Sequence, residues 1–397
     1  MGRSGWNNSR VRQANKQIFL EYLWREKQLS KSRLASLSGL SIPAVGNILE
    51  ELLSEGSIVH SAEKLSARGL NGGSYQLPGN GAWTLCMNVT PTRLESQLAD
   101  SRLMAVGEAR EERISLHEPL ALIAAIAAHY RYYRQRYPSQ IINLALGVHG
   151  QVDPVTGVSQ TMPQAPWASP LELKYLLEER LGVQVRVDND CVMLALAEKW
   201  QNPQALDNFC VINVDYGIGS SFLLDNQIWR GSLYGSGQIG HTIVDPDGTA
   251  CDCGRYGCLE TVASLSALKK QARVWLKSQP GSDACDPNNL STAQLIAARE
   301  RGDNRITLWV ENAASAIGLS LYNFLNILNI NQIWLYGRSC AFGESWRQTI
   351  IQQTGFNPFD RGDRPQAMNT QINFGTLDRS RQLLGIGYLY VEARLGN

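Results

Sequence analysis

His241 is followed by Cys251, Cys253 and Cys258, a spacing of H-x9-C-x-C-x4-C. Four soft or borderline donors within so short a segment are enough to close a tetrahedral Zn²⁺ site. Gly248, Gly254 and Gly257 lie between them, so the backbone can bend until several side chains aim at one point. Three of the eight cysteines fall here, which sets the segment apart from the rest of the chain. The alternative is a loop of free thiols or a disulfide; the tight spacing and the leading histidine argue against it. Four protein ligands leave no position for an activated water, so the expected zinc is structural.

The other cysteines (Cys86, Cys191, Cys210, Cys285, Cys340) are scattered, mostly in apolar segments. That pattern predicts buried thiols in a reducing compartment rather than a disulfide framework. No apolar run approaches the roughly 20 residues of a membrane span. Met1 to Arg12 is polar and basic with no apolar core after it, unlike a secretory signal. A cytoplasmic protein with no membrane insertion is expected. At 397 residues, two or three domains are expected. Net charge is +1, but residues 1–80 carry ten Lys/Arg against six Asp/Glu, leaving 27 against 30 in the remainder. A basic head on a mildly acidic body hints at nucleic-acid contact near the N-terminus.

Residues 1–80 read as a small helical unit. Asn15 to Glu26 carries Ile18, Phe19, Tyr22 and Leu23 at helical spacing. Ser30 is placed to cap a short helix, Lys31 to Leu37, and Gly39 to make a turn. Ser41 is placed to cap a third helix, with Pro43 in the first turn, where its missing N–H costs nothing. Val45, Ile48, Leu49, Leu52 and Leu53 form its apolar face. Ser57 to His60 and Ser74 to Leu77 read as two strands around a polar, glycine-rich segment. Three helices and a hairpin predict a winged helix-turn-helix. The third helix would read DNA through Ser41, Ile42, Ala44, Val45 and Asn47, with Arg68 on the wing. A three-helix accessory domain is the alternative.

From residue 81, strands and helices alternate, which predicts α/β architecture. Strands are expected at Trp83 to Asn88, Arg93 to Asp100, Gln140 to Gly147, Val183 to Val187, Phe209 to Asp215, Ser220 to Leu224 and Gln332 to Tyr336. The main helices are expected at Pro119 to Tyr137 (Leu120, Ile123, Ala124, Ala127 and Tyr130 inward), Leu171 to Leu181, Cys191 to Trp200, Ser264 to Lys277, Ala293 to Arg301 and Arg305 to Leu328. Asp283 to Asn289 reads as a polar loop. Two βββαβα-like halves are conceivable.

Three polar clusters carry chemical possibilities. Asp188-Asn189-Asp190 ends a strand and opens a helix, where it either lines a crevice and binds vicinal hydroxyls or simply caps the helix. Asp190 is placed to act as a general base on a hydroxyl. Asp215-Tyr216-Gly217-Ile218-Gly219 joins two strands; it either presents N–H groups to a phosphate or makes a hairpin. Gly147 to Asp153 is a glycine-rich turn after a strand; its backbone either approaches a ligand closely or makes a plain turn.

Together, the His241/Cys251/Cys253/Cys258 set, Asn189-Asp190, Gly237-Gln238-Ile239-Gly240-His241 and Cys258-Leu259-Glu260 resemble the ROK family of sugar kinases and sugar-responsive repressors. The resemblance covers essentially the whole chain. Its N-terminal unit points to the repressor branch, whose members include regulators of glucose and N-acetylglucosamine uptake. It implies a two-lobed actin/hexokinase-like (ribonuclease H-like) α/β body with an N-terminal winged helix-turn-helix. The implied boundaries are 1–80 for the DNA-binding unit, 81–195 plus about 375–397 for a smaller lobe, and 196–374 for a larger lobe with the zinc loop. The resemblance also implies sugar contacts at Gly150, Asn189, Asp190, Gln238, His241 and Glu260, with Asp190 at the kinase-base position and His241 shared between zinc and sugar. Gln238 stands where the family usually has glutamate.

The departures bear on activity. Kinases of the family open their catalytic part with Asp-x-Gly-x-Thr, whereas this chain has Asn88-Val89-Thr90-Pro91-Thr92. The metal-organising carboxylate becomes an amide, the glycine becomes threonine, and Pro91 lacks an N–H. The family's Gly-Gly beside adenosine is Gly337-Arg338. Loss of phosphate and metal positioning removes most of what drives phosphoryl transfer, so no catalytic residue is expected. The expected function is a sugar-responsive transcriptional regulator, a repressor in type. It would bind double-stranded operator DNA as a homodimer or tetramer and respond to a sugar or sugar phosphate. A sugar kinase with an appended DNA-binding head is the enzyme alternative. Control by a transporter-component protein, as in some relatives, is a third.

Overall fold

The structure, a computed structural model, describes residues 8–61, 73–79, 81–90, 92–114, 118–163, 165, 170–202, 206–278, 290–355 and 370–395. The N-terminal unit holds α1 (Asn8–Glu26), β1 (Gln28–Ser30), α2 (Lys31–Ser38), α3 (Ile42–Ser54), β2 (Val59–His60) and β3 (Ser74–Gln76). Its capping follows the sequence. The Ser30 side chain accepts from the Arg33 N–H, Gly39 takes the left-handed conformation at φ 71, and the Ser41 hydroxyl accepts from the Ala44 N–H with Pro43 in the first turn. Val45, Ile48, Leu49 and Leu52 bury one face of α3 against Phe19, Leu20 and Leu23 of α1 and Leu34 of α2. α1 starts earlier than its apolar pattern suggests. Lys16 on it reaches Glu51 (2.9 Å) and Glu55 (2.6 Å) of α3. β1 is an addition: it pairs with β3, which also pairs with β2, and three residues are too few for periodicity to reveal.

The body follows with β4 (Trp83–Thr90), β5 (Arg93–Ala99), β6 (Ala105–Arg113), α4 (Pro119–Arg136), β7 (Ile142–Val148), β8 (Gln151–Asp153), β9 (Val158–Thr161), α5 (Leu173–Leu181), β10 (Val185–Asn189) and α6 (Asp190–Gln201). A five-stranded sheet runs β10-β7-β4-β5-β6. β4, β5 and β6 are an antiparallel meander, and β7 and β10 add in parallel. A second set comprises β11 (Phe209–Val214), β12 (Ile218–Leu224), β13 (Gln227–Trp229), α7 (Leu259–Ala263), α8 (Leu265–Lys277), α9 (Thr292–Glu300), α10 (Asn304–Leu328), β14 (Gln332–Tyr336), α11 (Glu344–Thr354) and β15 (Gln371–Phe374). Its sheet, β13-β12-β11-β14-β15, repeats the plan of a meander followed by two parallel strands. α12 (Arg379–Leu384) and α13 (Tyr388–Leu395) then return to α6. The two conceivable halves are thus present as two sheets of the same topology.

One expectation is corrected. On α4, Leu120 is 62% exposed and Ala124 is exposed, whereas Leu122, Ile126, His129 and Tyr133 are buried beside Ile123, Ala127 and Tyr130. A polar residue sits on that face because His129 finds Ser96 on one ring nitrogen and Glu112 on the other, which removes the cost of burying it. The helix expected over Ser264 to Lys277 is present as α8, with Ser264 as its N-cap accepting from the Ala267 N–H. β6 went unread because its sequence, AVGEAREER, is a mostly exposed edge strand held by its ladder to β5. The Asp283 to Asn289 loop lies outside the described residues. No described helix is long and apolar enough to cross a membrane.

Candidate ligand cleft and metal centre

The C-terminal ends of β7 and β10, the turn between β11 and β12, and the segment 237–241 face one cleft of about 440 Å³. Gly150, Asn189, Asp190, Gln238, His241 and Glu260 all line it. These six residues come from four separate stretches of sequence.

Local structure explains each position. Gly150 sits at φ +98, and a Cβ there would lie 2.1 Å from the Thr161 carbonyl, so only glycine fits. Its own carbonyl accepts from Asn189 Nδ2 at 2.6 Å, while Asn189 Oδ1 accepts from the Cys191 N–H at 2.7 Å. Asn189 is therefore both helix cap and cleft wall. Asp188 turns away from this wall. It is 2% exposed and accepts from Arg230 Nε (2.9 Å) and Nη2 (2.7 Å). Burial pushes its carboxyl above the ordinary range, and Arg230 offsets only part of that.

The Gly217 and Gly219 turn is a hairpin, with the Asp215 N–H donating to the Gly217 carbonyl at 2.9 Å. Its glycines answer to space: a Cβ on Gly217 would meet Glu260 Oε2 at 2.6 Å, and one on Gly219 would meet Cys191 Sγ at 2.7 Å. Glu260, in the first turn of α7, accepts from the Ile218 N–H at 3.0 Å.

His149 was not singled out from sequence. It stands in the cleft with Nδ1 3.2 Å from Asp190 Oδ2. Burial pushes its pKa down, but Asp190, with Glu260 and Asp215 behind it, pushes harder the other way, and the ring ends above its usual value. Its signal in the sequence is a histidine inside a glycine-rich turn.

The same cleft is also lined by charges that the protein pairs with one another. Arg338 Nε bonds both oxygens of Asp215 (2.9 and 3.0 Å), and its guanidinium lies 4.3 Å from the centre of the Tyr216 ring. Asn88 Nδ2 donates to Glu95 Oε2 at 3.0 Å. Arg379, at the start of α12, donates through Nε to Glu95 Oε1 at 2.7 Å and through Nη2 to Oε2. Burial alone would raise Glu95; Arg379, Asn88 and Arg93 more than reverse it and hold the carboxylate below its usual range. Arg379 and Glu95 are 284 residues apart, which put the pairing beyond any local pattern. Pro91 lies outside the described residues.

The metal-type cluster borders the cleft through His241. The donor atoms of His241, Cys251, Cys253 and Cys258 all lie within 4.8 Å of one another. His241 Nδ1 is 3.6 Å from Cys251 Sγ, and Cys253 Sγ is 3.6 Å from Cys258 Sγ. Tetrahedral zinc with Zn–S near 2.3 Å and Zn–N near 2.0 Å requires donor separations of about 3.5–3.8 Å. The separations fit, and the sulfur pair is far from the roughly 2.05 Å of a disulfide. Backbone hydrogen bonds also shape the loop: Cys251 N–H donates to Arg255 O, Gly257 N–H to Thr249 O and Leu259 N–H to Thr242 O. Gly257, at φ +65, has no room for a side chain, since a Cβ would lie 1.4 Å from the Asp245 carbonyl.

On the N-terminal unit, Ser41, Ile42 and Asn47 are exposed along α3 and Ala44 is half-buried. Val45 is corrected: it is 0% exposed, locked in the contact of α3 with α1, and cannot reach a partner. Arg68 lies outside the described residues.

With this geometry in hand, the comparisons are specific. The ROK family model matches residues 85–355. The chain is 64% identical to uncharacterized protein YphH of Escherichia coli (strain K12) over 389 residues, 98% of each chain. It is 23% identical to a xylose repressor of Caldicellulosiruptor bescii over 367 residues, covering 88% of this chain and 90% of that one. Among solved structures, a ROK family transcriptional regulator homologous to the E. coli MLC protein aligns with a TM-score of 0.77 at 22% identity, over 97% of both chains. A ROK family glucokinase of Streptomyces griseus, solved with glucose and AMPPNP, aligns with a TM-score of 0.66 at 21% identity, over 78% of this chain and 99% of that one. The body therefore has the actin/hexokinase-like fold with mixed sheets. The chain belongs to the ROK family.

Proposed function

We propose that this ROK protein is a sugar-responsive transcriptional regulator, a repressor in type, and not a kinase. One observation carries the reading: Arg338 and Arg379, which line the cleft, are already engaged by the protein's own carboxylates, Arg338 by Asp215 and Arg379 by Glu95, which also accepts from Asn88. A nucleotide triphosphate brings negative charge and needs backbone N–H groups and a metal carboxylate. Here an amide replaces that carboxylate, and the arginines are already satisfied by the protein. Asp190, at the kinase-base position, is paired with His149.

In the cleft, a sugar or sugar phosphate would be held by Gly150, Asn189, Asp190, Gln238, His241 and Glu260. Carboxylates accept from hydroxyls, and the amides both donate and accept. Zinc bound by His241, Cys251, Cys253 and Cys258 would fix the loop that presents His241 and Glu260. The ion would supply structural cross-linking, with all four positions filled by protein.

Residues 1–80 are read as a winged helix-turn-helix, with Ser41, Ile42, Ala44 and Asn47 of α3 facing the major groove and Arg68 on the wing. The similarity to a xylose repressor over 88% of the chain supports this. A homodimer or tetramer would present two such helices to the half-sites of a near-palindromic operator. The body divides at about 81–195 plus 375–397 and 196–374, with the first boundary falling inside α6, which packs on both sheets.

The test is a thermal-shift screen of zinc-loaded protein against sugars, sugar phosphates and ATP-Mg²⁺, followed by recovery of bound fragments from genomic DNA. A ligand at 100 times its Kd stabilises the native state by about 2.7 kcal/mol. Stabilisation by a sugar and none by ATP-Mg²⁺, with release of DNA by that sugar, is expected. A shift with ATP-Mg²⁺ together with ADP production would overturn the reading.

A further inference from the structure

One helix connects the cleft to the head. Every residue of α6 from Asp190 to Trp200 is buried. Its first turn is part of the cleft: Asn189 caps it and bonds Gly150, and Asp190 meets His149. Its last turn, with Trp200 about 15 Å from Asp190 at 1.5 Å per residue, is held by the N-terminal and C-terminal helices. Lys199 Nζ and Trp200 Nε1 each reach Glu392 of α13 at 2.7 Å. The Trp200 ring stacks on Tyr388 at 10° and 5.7 Å. Trp24 of α1 stands edge-on to both rings, at 6.5 and 6.3 Å.

Arg25, also on α1, completes this junction. Its guanidinium lies 4.9 Å from the Trp200 ring centre, and Nη2 donates to the Lys199 carbonyl at 3.3 Å. A residue of the head thus caps a last-turn carbonyl of the helix whose first turn forms the cleft wall. α1 in turn carries α3, through Phe19 and Leu23 in the shared core and Lys16 to Glu51 and Glu55. Along its length α6 has little slack. A Cβ on Gly385 would lie 2.0 Å from the Met193 carbonyl, and one on Gly219 would meet Cys191 Sγ. Close-packed contacts of this kind transmit displacement instead of absorbing it.

We propose that α6 is the mechanical link between cleft and head, and that the Arg25–Trp200–Trp24 junction is where a change at Asn189–Asp190 is read out as a change in the set of α1 and α3. This rests on the regulator reading above for its purpose. The link itself is a property of the fold. Coupling of this kind is reciprocal: whatever the cleft does to the head, the head does to the cleft.

The experiment is hydrogen exchange with mass spectrometry on the full metal-loaded chain, comparing wild type, Asn189→Ala, Arg25→Ala and the double variant. Loss of an N-cap contributes roughly fivefold or more in a local opening equilibrium. Asn189→Ala should speed exchange in the first turn of α6 and, by a similar factor, in residues 20–26 of α1. In the Arg25→Ala background the α6 response should persist and the further α1 response should vanish. Asn189→Asp, which keeps the capping oxygen and loses the bond to Gly150, replaces Asn189→Ala should that variant fail to fold. An α1 segment that ignores either change at Asn189 while α6 responds would overturn the link. So would an α1 response undiminished by Arg25→Ala.

A second arm uses D-glucose and D-xylose as probes of DNA release. Arg25→Ala should keep any sugar-induced thermal shift but bring the fold-change in DNA affinity towards one; an unchanged ratio also counts against the link. If neither sugar shifts the wild type and no DNA is bound, the regulator reading fails on its own, and the exchange result still decides whether α6 couples the two ends.

Discussion

Arg230→Ala probes how the two sheets are held together. Arg230 follows β13 of the second sheet, and its partner Asp188 lies on β10 of the first. Removing one member of a buried pair costs about 3–5 kcal/mol, because the remaining charge is left without compensation. Arg230 is 29% exposed on its side chain, so water can enter the vacated space, and the lower end, about 3 kcal/mol, is the better figure. The residual Asn189 N–H bond to Asp188 Oδ1, 2.8 Å, favours the same end.

The loss must depend on pH. Asp188 has a folded pKa above its unfolded value, so the folded state binds more protons and stability falls as pH rises through the interval between the two. Arg230→Ala lifts the folded value further and extends that interval upward from the unfolded value near 3.9. The added penalty is full above the variant's folded pKa and absent below that of the wild type, where Asp188 is protonated in both folded states, so it shrinks as pH falls. In calorimetry, with about 2–4 °C per kcal/mol for a unit of this size, a loss of about 3 kcal/mol should lower Tm by about 6–12 °C at pH 7.5 and by less at pH 5. Wild type must be measured at both pH values, because metal binding also depends on pH. Adding Asp188→Asn should recover at least half of the loss at pH 7.5 by removing the stranded charge. Equal losses at both pH values, or a double variant no better than the single, would refute the reasoning.

Other expectations follow from the same geometry. Cys251→Ser should lower bound zinc below one equivalent per chain and lower Tm, as read by metal analysis and calorimetry; unchanged metal content would remove Cys251 from the ligand set. Gly257→Ala should do the same without touching a ligand, because its Cβ collides with the Asp245 carbonyl; retention of full metal content would show that the loop can yield. Asn47→Ala should weaken operator binding by about 1–3 kcal/mol if it contacts a base, with the oligomeric state unchanged in ultracentrifugation. Val45→Ala should instead cost about 1–3 kcal/mol of head stability by opening the α1–α3 core, visible as early loss of helix signal on heating; an intact head with weakened DNA binding would put Val45 back on the groove-facing surface.

Local chemistry determined much of this molecule in advance. The caps at Ser30 and Ser41 and the proline in the first turn of α3 are decided by neighbours within a few residues, and so are legible in order along the chain. The ligand set at His241, Cys251, Cys253 and Cys258 belongs to the same class, because a loop that short has few ways to bend. The cleft was partly legible: all six residues taken from the family resemblance do line one cavity. Tertiary structure alone decided the rest. Which face of α4 turns inward depended on partners for His129 supplied by β5 and β6. Val45 reads equally well as core or as surface until α1 is packed against it. Glu95–Arg379, Asp188–Arg230 and Trp200–Arg25 join residues 284, 42 and more than 170 positions apart. Such pairings are selected by the closing of two sheets around α6, and a charged side chain carries no local mark of the partner that folding will bring to it.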